Sequence, residues 1–102
     1  MPGYRLSDSA RVGIGRIVFY VEEHFGEEVA QRVLSEFEAA FEMLAANPGL
    51  GHRRDDLTSD PQVRFWSVRP SLVAYRSLGG IVQVLFVERG ERDWERLLDE
   101  ES

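Results

Sequence analysis

The sequence predicts an α+β domain in which an N-terminal antiparallel hairpin of two helices packs on a small antiparallel β-sheet, in the order β-α-α-β-β-β-α. Three observations carry this. Two apolar stripes with helical spacing fill residues 8–44, with Gly26 between them. Three runs rich in Val, Leu, Ile and aromatics follow from residue 63. Those runs are parted by Arg69-Pro70-Ser71 and by Gly79-Gly80, both turn signals. A chain of 102 residues can bury one core but not two, so residues 1–102 are expected to form a single domain.

Taken in order, Tyr4-Arg5-Leu6 is a short extended segment, and Ser7 follows as a good N-cap with Asp8 in the first turn, where a carboxylate meets the positive end of the helix dipole. Ala10, Ile14, Ile17, Val18, Val21 and Phe25 then draw one stripe over about Asp8 to His24. Gly13 and Gly15 weaken this helix by roughly 1 kcal/mol each relative to alanine, so either they let another backbone come close or they are incidental. Gly26 ends the helix. Glu27 and Glu28 open a second one whose stripe is Ala30, Val33, Leu34, Phe37, Phe41 and Leu44, and Asn47-Pro48-Gly49 stops it. So short a connection folds the two helices back on each other. After a loop over Asn47 to Gln62, the strands are Val63 to Val68, Leu72 to Leu78 and Ile81 to Glu88, joined as a meander. The last of these is apolar enough to be a central strand, and it runs into a polar, arginine-bearing turn. Asp93 to Leu98 closes the chain as a short helix with Trp94, Leu97 and Leu98 on one side.

Composition narrows the function. With 43% hydrophobic residues and no low-complexity tract the chain reads as ordered and globular. No cysteine is present, which removes disulfides, thiolate zinc sites and thiol nucleophiles together. No apolar run is long enough to span a bilayer and no leader precedes the fold, so a cytoplasmic protein without a membrane partner is expected. The two histidines, His24 and His52, are too few and too far apart for a histidine-based metal site, and no phosphate-cradling glycine loop or nucleophile-elbow motif is present. No metal and no cofactor are expected. His24 reads as a partner of its helix dipole. The net charge is −6, yet residues 52–76 are locally basic, and all twelve cations are arginine. Arginine suits bidentate capture of phosphate or carboxylate and is a poor base, so either recognition of anions or a bias of codon usage accounts for the pattern.

Two constellations can carry chemistry. In the long loop, Gly51-His52-Arg53-Arg54-Asp55-Asp56-Leu57 sets arginines beside carboxylates; these either position a phosphate or pin the loop, with Arg54 on backbone carbonyls and Leu57 plugging the core. On the sheet, Arg64, Arg76 and the strand-end pair Glu88-Arg89 are expected to converge with Arg92, since side chains on neighbouring strands lie about 5 Å apart. Such a cluster would hold an anion, with His52, Tyr75 or Glu88 as proton carriers if the reaction is RNA cleavage. The alternative is that these arginines are solvated or paired with local acids such as Asp93.

These residues resemble the RelE/ParE toxins of type II toxin–antitoxin systems, and the ParE branch most of all. The resemblance is carried by Tyr4-Arg5-Leu6-Ser7 with Ala10, by Ile17, Tyr20, Phe25-Gly26 and Ala30, by Phe41, Leu44, Asn47-Pro48 and Gly51, by Arg54-x-Asp56-Leu57, by Tyr75-Arg76, and by Val87-x-x-Gly90-x-Arg92-Asp93. It implies a RelE/ParE toxin-like fold in which the N-terminal segment adds a strand, and a cognate antitoxin whose C-terminal segment wraps the toxin in a hetero-oligomer. Arg54, Arg64, Tyr75, Arg76, Arg89, Arg92, Asp93 and Trp94 are then expected to contact the antitoxin or the cellular target. ParE-type members poison DNA gyrase, whereas RelE-type members cleave mRNA on the ribosome with basic residues and a C-terminal tyrosine. Here the segment Glu91-Arg92-Asp93-Trp94-Glu95 has no tyrosine, the chain has no lysine, and Glu88 stands where histidine is common. No catalytic residue is therefore assigned with a ParE-like inhibitor in view. If the chain is a ribonuclease, the set would be Arg64, Arg76, Glu88 and His52. A third reading is a degenerate, non-toxic module that only binds its antitoxin.

Overall fold

The computed structural model describes residues 3–101. Its elements are β1 (Tyr4–Leu6), α1 (Asp8–Phe25), α2 (Glu27–Ala46), β2 (Arg64–Val68), β3 (Ser71–Leu78), β4 (Ile81–Arg89) and α3 (Trp94–Glu101), with a 3₁₀ turn at Pro48–Leu50. The β-α-α-β-β-β-α order is the expected one. The sheet order is β1-β4-β3-β2: β2, β3 and β4 form the antiparallel meander, and β1 joins β4 in parallel, pairing Tyr4 to Leu6 with Val82 to Val84. That leaves β4 inside the sheet, as its unbroken apolar run requires.

Ser7 fixes how the first helix leaves the sheet. Its hydroxyl accepts from the Ala10 N–H at 2.9 Å, capping α1, and donates to the Leu85 carbonyl at 2.6 Å. Leu85 is the extra residue of a bulge, because Ala74 pairs with Phe86 while Tyr75 pairs with Val84. A bulged residue loses its place in the ladder, and the Ser7 side chain supplies the missing partner. Six residues further on, α1 meets β4 backbone to backbone: a Cβ built on Gly13 would fall on the Val87 carbonyl oxygen. Gly15, by contrast, faces open space. One of the two glycines thus serves the close approach and the other does not. Gly26, at φ 95° and ψ 166°, turns α1 into α2 in a backbone conformation that only glycine adopts freely.

Each face of the sheet has its own core. Ala10 and Ile14 of α1 and Phe37, Phe41 and Leu44 of α2 pack on Val73, Tyr75, Val82, Val84 and Val87. On the other face Phe65, Leu72, Ala74, Leu85 and Phe86 are covered by Trp94 and Leu98 of α3. The bulge at Leu85 lets β4 feed both clusters, since residues 85 and 86 turn to the α3 side and Val87 returns to the hairpin side. Fully buried side chains of this size contribute roughly 1.5–3 kcal/mol each, which makes the hairpin–sheet layer the main source of stability. The α1 stripe does not stay buried to its end. Ile14 is 8% exposed but Phe25 is 65% exposed, because the helix runs out past the strand ends.

The contrast between the two glycines is testable by denaturant titration. Gly13→Ala should lose about 1–3 kcal/mol or more, since it overpacks α1 against the β4 backbone. Gly15→Ala should gain up to about 1 kcal/mol from helix propensity alone.

Candidate functional site

The structure divides the predicted site residues between the two ends and two faces of the sheet. Arg64 pairs with Tyr75 and Arg76 with Gln83, near the β3–β4 turn, whereas Glu88 pairs with Leu72 and Arg89 with Ser71 at the opposite end. Residues paired across an antiparallel ladder share a face, so Arg64 shares the helix-hairpin side with Tyr75, while Arg76, one residue on, projects to the α3 side. From Leu72 to Arg76 is four strand residues, or roughly 13 Å. Arg64, Arg76, Glu88 and His52 therefore form no common cluster, contrary to the convergence the sequence suggested. Nearness of strands was not enough to decide it, because register and parity of side chains set the separation.

At the first end the polar groups hold the long loop. The Tyr75 hydroxyl accepts from the Gly51 N–H at 2.8 Å and donates to the Pro48 carbonyl at 2.7 Å, while Tyr75 itself is fully buried. A Cβ on Gly51 would collide with that hydroxyl. Arg64 Nη1 donates to the Gly51 carbonyl at 3.0 Å, and His52 and Phe65 exchange two backbone hydrogen bonds at 2.8 Å. Tyr75 thus presents no surface to a partner; it is the post to which Pro48 to Gly51 is tied. Burial raises its pKa above the ordinary 10.0, opposed by the Gly51 N–H bond and by Arg64. Arg54 does not reach backbone carbonyls as expected. It forks onto Asp56, at 2.9 and 2.8 Å, which lowers the Asp56 pKa, and in so exposed a pair this adds little stability. Leu57 packs at the edge of the α3-side core, and the exposed Arg53 pairs with Asp55 at 3.7 Å. Arg76 donates to Gln83 at 3.3 Å.

At the second end Glu88 and Arg92 form an ion pair at 3.2 Å, and Arg89 pairs with Glu91 at 2.7 Å. Asp93 accepts from the Arg96 N–H at 3.3 Å and caps α3, and so does not pair with the strand arginines. Trp94, expected at a contact surface, is 1% exposed. Its ring stands edge-on to Phe65 and Phe86, with centroids 5.7 and 6.5 Å away, so it anchors α3 in the core.

Beside that second end lies the feature that can receive a partner. A groove of about 360 Å³ runs between the outer half of the helix hairpin and the β2–β3 turn. Ile17, Val21, Val33, Phe37 and Val68 line its apolar part, and Tyr20 and Phe25, 50% and 65% exposed, stand in its wall. Four arginines reach it: Arg16 from α1, Arg69 from the turn, and Arg89 and Arg92 from the end of β4 and beyond. Arg89 and Arg92 have partners of their own, while Arg16 and Arg69 make no ion pair or side-chain hydrogen bond among the described residues. A second hollow of about 300 Å³, which shares Arg16, Glu88 and Arg92 with the first, lies toward Val12 and Leu97. Beyond the groove wall, His24 stacks on Tyr20 at 4.1 Å with its Nδ1 2.9 Å from the Tyr20 carbonyl, in keeping with its place at the helix end. Exposed apolar surface rimmed by free cations fits an amphipathic segment that carries carboxylates.

Sequence reasoning singled out Arg89, Arg92 and Glu88 of this groove and missed Arg16 and Arg69 as site residues. One signal was available. Phe19 and Tyr20 lie off the apolar stripe of α1, and an aromatic residue outside the stripe of an amphipathic helix is one the core does not claim. Among the described residues no group of histidines and carboxylates could hold a metal, and no helix is long and apolar enough to cross a membrane.

Comparison with known proteins finds a family, a curated relative and solved structures that match. Residues 4–94 match the family described as the ParE toxin of type II toxin–antitoxin systems, parDE. Toxin ParE1 of Caulobacter vibrioides is 37% identical over 57 residues, which is 56% of this chain and 59% of that protein, so the match spans under two thirds of the relative's length. A solved structure from the chromosomal ParDE TA system of P. aeruginosa superposes with a TM-score of 0.72 over 86% of this chain and 95% of that one, at 22% identity, and so shares the fold.

The Tyr75 post yields a pH-dependent prediction. Its folded pKa is raised, so the stability it contributes is complete below the unfolded value near 10.0 and is lost as pH climbs through the folded value. Melting temperature should therefore hold up to about pH 10 and fall above it. Tyr75→Phe should cost about 1–3 kcal/mol at pH 8, by orphaning the Gly51 N–H and the Pro48 carbonyl, and should make the alkaline decline shallower. Tyr4, whose pKa burial also raises, keeps part of that decline in the variant.

Proposed function

Since the chain belongs to the ParE toxins of type II toxin–antitoxin systems, we propose that it halts growth by binding DNA gyrase and that a cognate antitoxin in the cytoplasm holds it inactive. The groove carries the antitoxin half of this reading: an apolar floor with Arg16 and Arg69 unpaired on its banks is suited to an amphipathic segment bearing carboxylates. The gyrase half rests on the ParE branch of the family and is supported by the scatter of the ribonuclease candidates. Arg64 is engaged with Gly51, Tyr75 is sealed in the core, and Glu88 is tied to Arg92 at the far end of the sheet, so acid, base and phosphate-holding groups do not meet around one reacting phosphate. An overall charge of −6 further disfavours sequence-independent binding to RNA.

Induction in growing cells tests the target. Arrest of DNA synthesis with an SOS response, and stalled supercoiling when purified toxin meets purified gyrase, are the expected results. Rapid mRNA cleavage with translational arrest would instead establish a ribosome-dependent nuclease, and undisturbed growth a module that only binds antitoxin. For the groove, Arg16→Glu combined with Arg69→Glu should weaken the antitoxin complex by at least about tenfold, or 1.4 kcal/mol, by calorimetry. An unchanged affinity would place the antitoxin elsewhere.

A further inference from the structure

Strand β2 lies at the edge of the sheet, and half of its outer side is already occupied. His52 and Phe65 exchange both of their backbone hydrogen bonds at 2.8 Å, so the N–H and C=O of Phe65 point away from β3. In an antiparallel ladder this direction repeats every second residue, so Ser67 also aims its N–H and C=O outward. Ser67 is exposed and, among the described residues, has no hydrogen-bond partner on that side. The residues directly after it, Val68 and Arg69, line the apolar groove, and Arg69 is one of its two unpaired cations.

We infer that Ser67 is a strand-addition point, at which an extended stretch of the segment that fills the groove continues over Val68 and Arg69 and pairs with the outer edge of β2. This rests on the reading that the groove holds an antitoxin. The paired stretch is short, because the His52 bridge closes the ladder at Phe65 and the chain turns away into β3 after Val68 at the other end. Two backbone hydrogen bonds to Ser67 would fix the register of the added strand. Arg69 then favours a carboxylate on the residue that passes it, and the half-buried Trp66 offers an apolar contact on the hairpin side. The occupant is thus acidic and extended, with its apolar residues on one side, and a second copy of this chain fits the site less well, since antiparallel pairing at Ser67 sets its Phe65, whose outer side His52 already fills, opposite Arg69 and offers that cation no carboxylate.

Amide hydrogen exchange followed by NMR tests this, on the toxin alone and in complex with the antitoxin encoded beside it. In the free protein the Trp66 amide, bonded to β3, should be protected and the Ser67 amide should exchange freely; in the complex Ser67 should slow by at least about tenfold. Ser67→Pro deletes the outward donor without touching a β2–β3 bond, and an edge strand tolerates proline where its N–H faces out. It should weaken the complex about tenfold, while Ser67→Ala binds as the parent does. A complex that forms with the Ser67 amide still exchanging freely overturns the inference and leaves the antitoxin reading standing. So does a folded Ser67→Pro variant of unchanged affinity, or Ser67 protection that appears with rising toxin concentration in the absence of antitoxin. Failure to form any complex would remove the antitoxin reading itself and the inference with it.

Discussion

The junction of α1 with β4 is the constraint on which the rest of the structure depends. Over seven residues the chain makes three contacts with one strand: the Ser7 N–H bonds the Val84 carbonyl at 3.0 Å, the Ser7 hydroxyl bonds the Leu85 carbonyl at 2.6 Å, and Gly13 rests on the Val87 carbonyl. Two of these recognise consecutive carbonyls and the third forbids a side chain, so neither the rotation nor the height of α1 over the sheet is adjustable. The helix hairpin is carried with it. Because α1 leaves the sheet at a set angle, its outer half overhangs the strand ends, and the groove is the space beneath that overhang.

The same junction explains the division of labour between buried and exposed aromatic residues. Phe37 and Phe41 lie under the part of the hairpin that the sheet supports and fill the core, whereas Tyr20 and Phe25 lie beyond it and remain 50% and 65% exposed. Nothing in their chemistry separates the two pairs. What separates them is the distance along the helix hairpin from the Gly13 contact, and with it whether a strand is still present underneath. A ParE-family toxin thereby exposes an apolar surface without weakening its core, since the two are successive segments of one helix pair.

Much of the fold could be read directly. Gly26, Asn47-Pro48-Gly49 and Gly79-Gly80 are breakers whose physical effect is local, so the elements they bound came out within a residue or two, and the apolar run of β4 declared its inner position. The site was less legible, for reasons of parity. Strand β3 is apolar on both sides, so alternation alone could not say that Tyr75 turns to the hairpin core and Arg76 to the α3 side. The bulge at Leu85 shifts the parity of β4 midway, which no pattern in Ile81 to Arg89 announces. Trp94 shows the complementary limit: it shares one side of its helix with Leu97 and Leu98, but the pattern does not say whether that side meets a partner or a core, and a second core on the α3 side needed a large side chain to close it. Arg69 was read as part of a turn, and only the folded hairpin brings it to face Arg16.

The pattern of paired and unpaired arginines around the groove also divides the kinetics of binding. Arg89 and Arg92 are neutralised by Glu91 and Glu88, so the net positive field at the groove mouth comes from Arg16 and Arg69, on opposite banks, offset in part by the exposed Glu36 of α2. Charges at a rim mainly govern how fast an oppositely charged partner arrives, and salt screens them over about 8 Å at physiological ionic strength. The apolar floor does not feel salt in that way and governs how long the partner stays. Added salt should therefore slow the capture of an acidic segment far more than it hastens its release. Once seated over Tyr20 and Phe25, such a segment would leave at a rate set by the hydrophobic contact alone.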